Sequence, residues 1–511
     1  MRPQFHTSDR CFACHNGLTT PAGQDISISA AWRSSIMANS SRDPYWQASV
    51  RREDMDHPES TAEIEDGCAD CHMPMSRYKA KLKGKLGEVF ANLPFDRDEK
   101  RNADAEDGVT CSICHQITSE NFGKRESFNG GFLIGTPSAT SHPEFGPFVI
   151  QNAQASIMQS STGGFRPTGA EHIIDSAMCA TCHTLYTKSL APGGKVLGTF
   201  PEQVPYLEWL HSDYPQKSSC QACHMPEVHG EASISAVMGP LRAGVREHTF
   251  PGGNFFVLRM LNVYRSDLSI AAMSEELNAE AERTEAFLKT QAARVTIRNA
   301  NVGSGKLNVE VLVENLTGHK FPTAFPSRRA WLHLAVWDRN GRSVFESGAL
   351  TSDGSIRGNV NDQDASRFEP HFREITSRDQ VEIYEPILKD NQGRVTTGLA
   401  AAVGYLKDNR LLPKGFDKET ADKDIAVIGD AADDSGFTDA GDTVRYSIPV
   451  GAAPGPFRVL VELWYQPIGY RWAHNLEPYS AFEAQRFVRF YDSMPYASAL
   501  VLARIKQVVG E

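Results

Sequence analysis

The chain holds ten cysteines, and all of them fall in five copies of the pentapeptide C-x-x-C-H. The copies are Cys11, Cys14 and His15; Cys68, Cys71 and His72; Cys111, Cys114 and His115; Cys179, Cys182 and His183; and Cys220, Cys223 and His224. Two thiols at this spacing share one turn of chain and can both form thioethers with porphyrin vinyl groups. The adjacent histidine then turns its imidazole to the iron. This is the attachment pattern of c-type haem. Five covalent haem c groups are therefore expected, with the cysteines as anchors and His15, His72, His115, His183 and His224 as iron ligands.

Other chemistries of C-x-x-C fit less well. Zinc ribbons pair two such knuckles without needing a histidine after each one. A thioredoxin-like dithiol occurs once, in a βαβ setting. A disulfide framework suits a short secreted chain rather than 511 residues.

Each haem iron has a sixth position. A second histidine or a methionine there makes an electron-transfer site, whereas an open position allows chemistry on a small molecule. Of the 16 histidines, 11 lie outside the five motifs, enough to close every site. The leading candidates are His57, His172, His211, His248 and His319. The last lies in a Gly-His-Lys-Phe-Pro loop after a strand, from which a β domain would reach a haem. His142, His229, His6 and His474 form a second tier; His333 reads as a strand-face residue and His371 as a loop residue. Met37 sits in Trp32-Arg33-Ser34-Ser35-Ile36-Met37-Ala38, where a thioether ligand would raise the potential of its haem.

The motifs occupy only residues 11 to 224, with irregular spacings of 57, 43, 68 and 41 residues, so they are not a regular tandem repeat. The chain between them is rich in Gly, Pro and Ser and cannot bury a large side-chain core. Flat apolar cofactors would serve as that core, and the first half without them is expected to be largely unfolded. These features predict a multidomain fold. Residues 1–253 form a haem-packed, mainly irregular and α-helical domain, and 254–293 a helical connector with helices near 255–263 and 268–293. Alternation at Val295 to Ile297, Leu307 to Val313, Trp331 to Trp337, Val381 to Ile383 and Phe457 to Tyr465 predicts an antiparallel β-sandwich-like domain over 294–475. Asn340-Gly341 marks a hairpin, and a long insertion runs from about 349 to 440. Residues 476–511 read as a C-terminal helix, from Ala481 to Val509.

The motifs carry a resemblance. The stretches GVTCSICH and CATCHTLYT are similar to those of multihaem cytochromes c, in the families related to hydroxylamine oxidoreductase and to tetrahaem electron carriers. Met37 stands where the W-x-x-S-x-H-A stretch of many such cytochromes has an axial histidine. The likeness covers roughly residues 10 to 255 and implies a pentahaem cytochrome. NLTGHKFPT, YLKDNRLLPKGF and YQPIGYRW resemble uncharacterised β domains attached to such cytochromes, which bring no activity with them. The hydroxylamine oxidoreductases carry more haems than five motifs supply.

The function expected is relay of electrons between redox partners. The alternatives are an oxidoreductase acting on a small nitrogen or sulfur compound at an open haem, and a structural subunit of a cytochrome filament or complex. A net charge of −11, to which haem propionates would add, disfavours nucleic acid and favours basic redox proteins through steering. Other cytochromes or a membrane quinone-linked complex are the partners this implies, with self-association as a further option. No apolar run of about 18 residues predicts a membrane span. The first residues show no apolar h-region and no cleavage site, yet c-type attachment takes place outside the cytoplasmic membrane. A periplasmic or extracellular location is thus expected from the chemistry rather than from an address in the chain. Asp430, Asp433, Asp434, Asp439 and Asp442, with Gly436 and Gly441, would suit Ca²⁺ or a solvated acidic loop, although their spacing is not that of an EF-hand.

Overall fold

The computed structural model describes residues 4–95, 102–135 and 142–510. The chain divides into two compact units: one takes residues up to Thr184 together with Ser218–Thr284, the other Leu185–Lys217 and everything from Glu285 onward.

The first unit is built of short helices and irregular chain. Its longest helix, Pro44–Asp56, starts where Asp43 accepts the backbone N–H of Tyr45 and Trp46, with proline at the first helical position. Both are standard start signals: the carboxylate satisfies orphan donors, and proline has no N–H to lose there. Thr61–His72 and Pro74–Leu82 follow. His142–Gly146 and Phe165–Gly169 pair in parallel. Apolar burial is split into small clusters. Trp46, Val50, Ala69, Met73, Val89 and Ala105 form one, against which Cys68 packs. Phe5, Met75, Ile113, Ile117, Phe132 and Ile134 form another, against which Cys182 packs. Leu18, Ile26, Val228, Ala232 and Val245 form a third. Each cluster is too small to order a domain of this size by itself.

The connector helices are Phe255–Val263 and Ser274–Gln291, the second starting six residues later than the pattern suggested. The unit boundary falls inside that second helix, at Thr284.

In the second unit four of the five expected strands appear, and in place of Val381–Ile383 there is a two-residue strand, Ile383–Tyr384. Arg329–Trp337 pairs antiparallel with Phe457–Gln466, Ser343–Ser347 and Ile383–Tyr384. A second sheet orders Ala293–Gly303, Lys306–Asn315, Asp442–Pro449 and Glu374–Ile375. Its last strand is parallel to its neighbour, so the β region is not wholly antiparallel. Phe345 of the first sheet meets Tyr446 of the second edge-on, at 6.4 Å between ring centroids. The insertion supplies a three-stranded sheet of Val395–Thr396, Pro386–Asp390 and Ala402–Asp408.

Two sequence expectations are corrected. The C-terminal helix is confined to Phe482–Asp492; Leu500–Val509 is a strand along Phe457–Gln466. The α-helix stops before Pro495, which opens the 3-10 turn Pro495–Ser498, and the β-branched residues beyond that turn complete a sheet edge. The hairpin of Leu185–Leu190 and Val196–Gln203 lies between the fourth and fifth motifs but belongs to the second unit. Phe200 packs there with Leu388 and Ala402. Gly193 and Gly194, both at positive φ, make its turn.

Candidate functional site

All five motifs lie in the first unit, and each occupies a turn of helix. Cys68 to His72 close Thr61–His72, and Cys179 to His183 close Ser176–His183. Cys111–Cys114 and Cys220–His224 are single turns, and Cys11 lies in Asp9–Phe12, with His15 N–H bonding to Cys11 O at 3.1 Å. Asp175 and Ser219 cap the fourth and fifth turns by accepting the N–H of Ala177 and Ala222. Positions i, i+3 and i+4 share one helix face, so both sulfurs and the imidazole of each motif point the same way.

Four of the five motif histidines share one hydrogen bond. Nδ1 meets a backbone carbonyl in His15 (Ile234, 2.6 Å), His72 (Ser40, 3.0 Å), His115 (Phe145, 2.5 Å) and His224 (Pro251, 2.7 Å). A ring nitrogen facing a carbonyl is the N–H donor, which leaves Nε2 with its lone pair for a metal. Burial favours the neutral ring in three of them: it lowers the pKa of His15 and His115 and takes that of His72 to about 4. The Trp46 ring lies parallel to His72 at 4.4 Å.

The order of motifs in space differs from their order in the chain. The thiols of Cys11 and Cys111 are hydrogen-bonded, and His15 lies near His115, so the first motif adjoins the third. Cys114 faces Cys182, joining third to fourth. The thiols of Cys71 and Cys182 are hydrogen-bonded and His72 lies near His183, joining second to fourth. The thiols of Cys179 and Cys220 are hydrogen-bonded, joining fourth to fifth. Within these pairs the thiols of Cys11, Cys71 and Cys179 are raised, first by the hydrogen bond and then by burial, and those of Cys182 and Cys220 are lowered by it; burial pushes that of Cys114 up to about 12. No disulfide forms among the ten cysteines.

The candidate distal ligands are placed unequally. His248 stands beside His115 with ring centroids 6.4 Å apart and planes 22° apart; its Nδ1 bonds to the Arg246 carbonyl at 3.2 Å. Burial, then the His115 ring, takes its pKa to about 3. His57 is buried between two helical segments, and neither of its ring nitrogens has a hydrogen-bond partner. His172 donates from Nε2 to the Ile117 carbonyl at 2.9 Å and packs edge-on to Phe122 and Phe145. Met37 lies in a turn rather than on a helix, its carbonyl accepting the Val109 N–H at 3.0 Å just before the third motif. Gly108 permits that approach: at φ +60, a Cβ would stand 2.8 Å from the Met37 oxygen.

His211 and His319 are in the second unit. His211 is half-exposed, its Nε2 on the Asp417 carbonyl at 2.8 Å; the Nδ1 of His319 meets the Lys320 carbonyl at 2.9 Å. His6 bonds to Thr162 and His142 to Gln116 around Phe165, while His229 is exposed. His474 stacks on Tyr470 and faces Asp492; His333 lies on a strand face between Glu462 and Glu346. The five aspartates of the acidic loop do not converge. Asp430 and Asp433 are exposed, Asp439 pairs with Lys414, and Asp434 and Asp442 turn inward to His371. His371 lies in a loop, as read from sequence, but it is buried there.

The crystal structure of a penta-heme cytochrome c552 from Thermochromatium tepidum is similar to this chain over 99% of each, with a TM-score of 0.54 and 14% sequence identity. The fold is that of a penta-haem cytochrome. At this identity the likeness is one of chain path, which holds through the second unit as well as the first. No protein-family model matches the sequence, and no curated protein matches it.

Proposed function

We propose that the chain is a pentahaem c-type cytochrome that relays electrons between redox partners outside the cytoplasmic membrane. The observation that carries this reading is the hydrogen bond common to His15, His72, His115 and His224, Nδ1–H to a backbone carbonyl, which presets Nε2 for iron. The residues fit the cofactor in two further ways. His57 is a buried imidazole without a hydrogen-bond partner, and the unit's apolar clusters are small and gathered beside the motifs. Haem bound at these sites supplies a one-electron iron couple.

The cysteines anchor, the motif histidines ligate, and the carbonyls of Ser40, Phe145, Ile234 and Pro251 fix ring orientation. Two imidazoles on one metal ion, with bonds of about 2 Å, have centroids about 6 Å apart. The His115–His248 separation of 6.4 Å agrees with that, so His248 would supply the second imidazole at the third motif. His57 is assigned to another sixth position; His172, His211, His319 and Met37 are the further candidates. Contiguity of first, third, fourth and fifth motifs, with the second beside the fourth, supports relay. Among the described residues no helix is long and apolar enough to cross a membrane.

The test is the exported, purified protein. Its mass should exceed that of the polypeptide by five haems, and low-temperature electron paramagnetic resonance should show low-spin iron. A colourless protein, or a dominant high-spin signal that shifts on adding nitrite or hydroxylamine, overturns the relay reading.

A further inference from the structure

The second unit buries a separate group of ligand-type side chains. His371 precedes the strand Glu374–Ile375, Asp434 lies in the acidic loop, and Asp442 opens the strand Asp442–Pro449. Their side chains are 0%, 7% and 1% exposed. One ligand atom from each lies within 4.8 Å of the other two.

Glu382 organises the imidazole. Its Oε1 meets His371 Nδ1 at 2.8 Å and also accepts from Asn409 Nδ2 at 2.8 Å; its Oε2 accepts the Phe372 N–H. With Nδ1–H held there, Nε2 points between Asp434 Oδ2 at 3.2 Å and Asp442 Oδ1 at 3.9 Å. A carboxylate–histidine–metal arrangement has this form. Ligand atoms around a tetrahedral ion with bonds near 2.0–2.1 Å stand about 3.3 Å apart.

Hydrogen bonding within the cluster is incomplete. Asp442 Oδ2 takes the Tyr384 hydroxyl at 2.8 Å, but the buried Asp442 Oδ1, the atom aimed at Nε2, has no hydrogen-bond partner. The buried hydroxyl of Tyr446 has none either; it lies four residues along the same strand, on the same face. A protonated His371 would satisfy Glu382 and Asp434 and still leave Asp442 Oδ1 bare. Three carboxylates would then face one imidazolium, with the half-exposed Arg373 guanidinium 3.5 Å from Asp434 at the rim. A buried carboxylate oxygen with no donor is costly; a cation beside it removes the cost.

The geometry points to a binding site for a divalent first-row transition metal ion, held by His371 Nε2, Asp434 and Asp442, with Glu382 as the outer carboxylate that positions the imidazole. The imidazole sets this site apart from the all-oxygen shells of Ca²⁺ and Mg²⁺. The ion ties the chain before one sheet edge, the acidic loop and a sheet strand into one node of the second unit. It is independent of the haem motifs.

The test uses the full haem-loaded protein, dialysed against EDTA and then equilibrated with Zn²⁺. Elemental analysis should find one zinc per chain, and zinc should raise the thermal midpoint. Glu382→Gln should weaken zinc binding by about 10–100-fold. Asp442→Asn, nearly isosteric, should abolish both uptake and the thermal shift while keeping the haem spectrum. Equal zinc uptake by wild type and Asp442→Asn, or none by wild type, overturns the site in favour of a plain ion pair.

Discussion

His115 and His248 face each other with ring centroids 6.4 Å apart, each with Nδ1 on a backbone carbonyl and neither held by the same segment of chain. If these two rings share an iron, His248→Ala should convert one haem from low to high spin and open it to cyanide. His248→Met should keep it low-spin and raise its potential, because a thioether favours the reduced iron. Electron paramagnetic resonance and a potentiometric titration read both outcomes. An unchanged spin state in His248→Ala refutes the pairing.

The fourth motif is the branch point of the array, since Cys182 adjoins Cys71 and Cys114 and Cys179 adjoins Cys220. Removing its haem with Cys179→Ala and Cys182→Ala should separate the first and third sites from the fifth. Removing the second with Cys68→Ala and Cys71→Ala should leave the row first, third, fourth, fifth unbroken. Flash reduction followed by intramolecular equilibration should therefore slow in the first double variant far more than in the second, with mass spectrometry confirming loss of one haem from each.

Asp43 starts the helix that sets Trp46 against His72. Burial raises its pKa from 3.8 to about 6, against the opposing pull of the two N–H groups it caps. Between those values the folded chain holds more protons than the unfolded one, so stability falls as pH rises through the window and stays lower above it. Asp43→Asn keeps a capping side chain without the buried charge. It should remove that slope and stabilise the protein at neutral pH by up to about 3 kcal/mol. Chemical denaturation of wild type and variant from pH 4 to 7 provides the comparison.

Lys320 is fully buried in the second unit, its ammonium 2.8 Å from Asp408 and 3.0 Å from the Ala426 carbonyl. Arg410 bonds the same carboxylate and also pairs with Glu208. Lys320→Ala leaves this network one cation short and should destabilise the protein by about 3–5 kcal/mol. Lys320→Met fills the volume without the charge and should not recover that loss. Denaturant midpoints decide the matter; a loss below about 1 kcal/mol would mean that Arg410 alone neutralises the site.

Two further elements are legible in the sequence. Pro495 marks the end of the last helix, and the run from Leu500 to Val509 is β-branched enough to be a strand. Gly193-Gly194 between two short apolar runs is a hairpin turn, hidden because it falls between two motifs. His371 gave no such signal: Glu382, Asp434 and Asp442 reach it from separate stretches of chain, and nothing around Pro370-His371-Phe372 marks it as buried.

What the sequence determined by itself is local. Cys111, Cys114 and His115 fall on one face of a single turn because i, i+3 and i+4 do so in any helix, and the same holds for the other four motifs. The strands Ala293–Gly303, Lys306–Asn315, Arg329–Trp337 and Phe457–Gln466 follow from alternation in the same way. Only tertiary structure decided that the first motif lies against the third, that the fourth touches three others, and that His248 rather than a nearer histidine stands opposite His115. Those choices depend on where Gly- and Pro-rich connections return in space. No periodic pattern in such segments specifies the path, because their backbone bonds and packing partners lie far away in the chain.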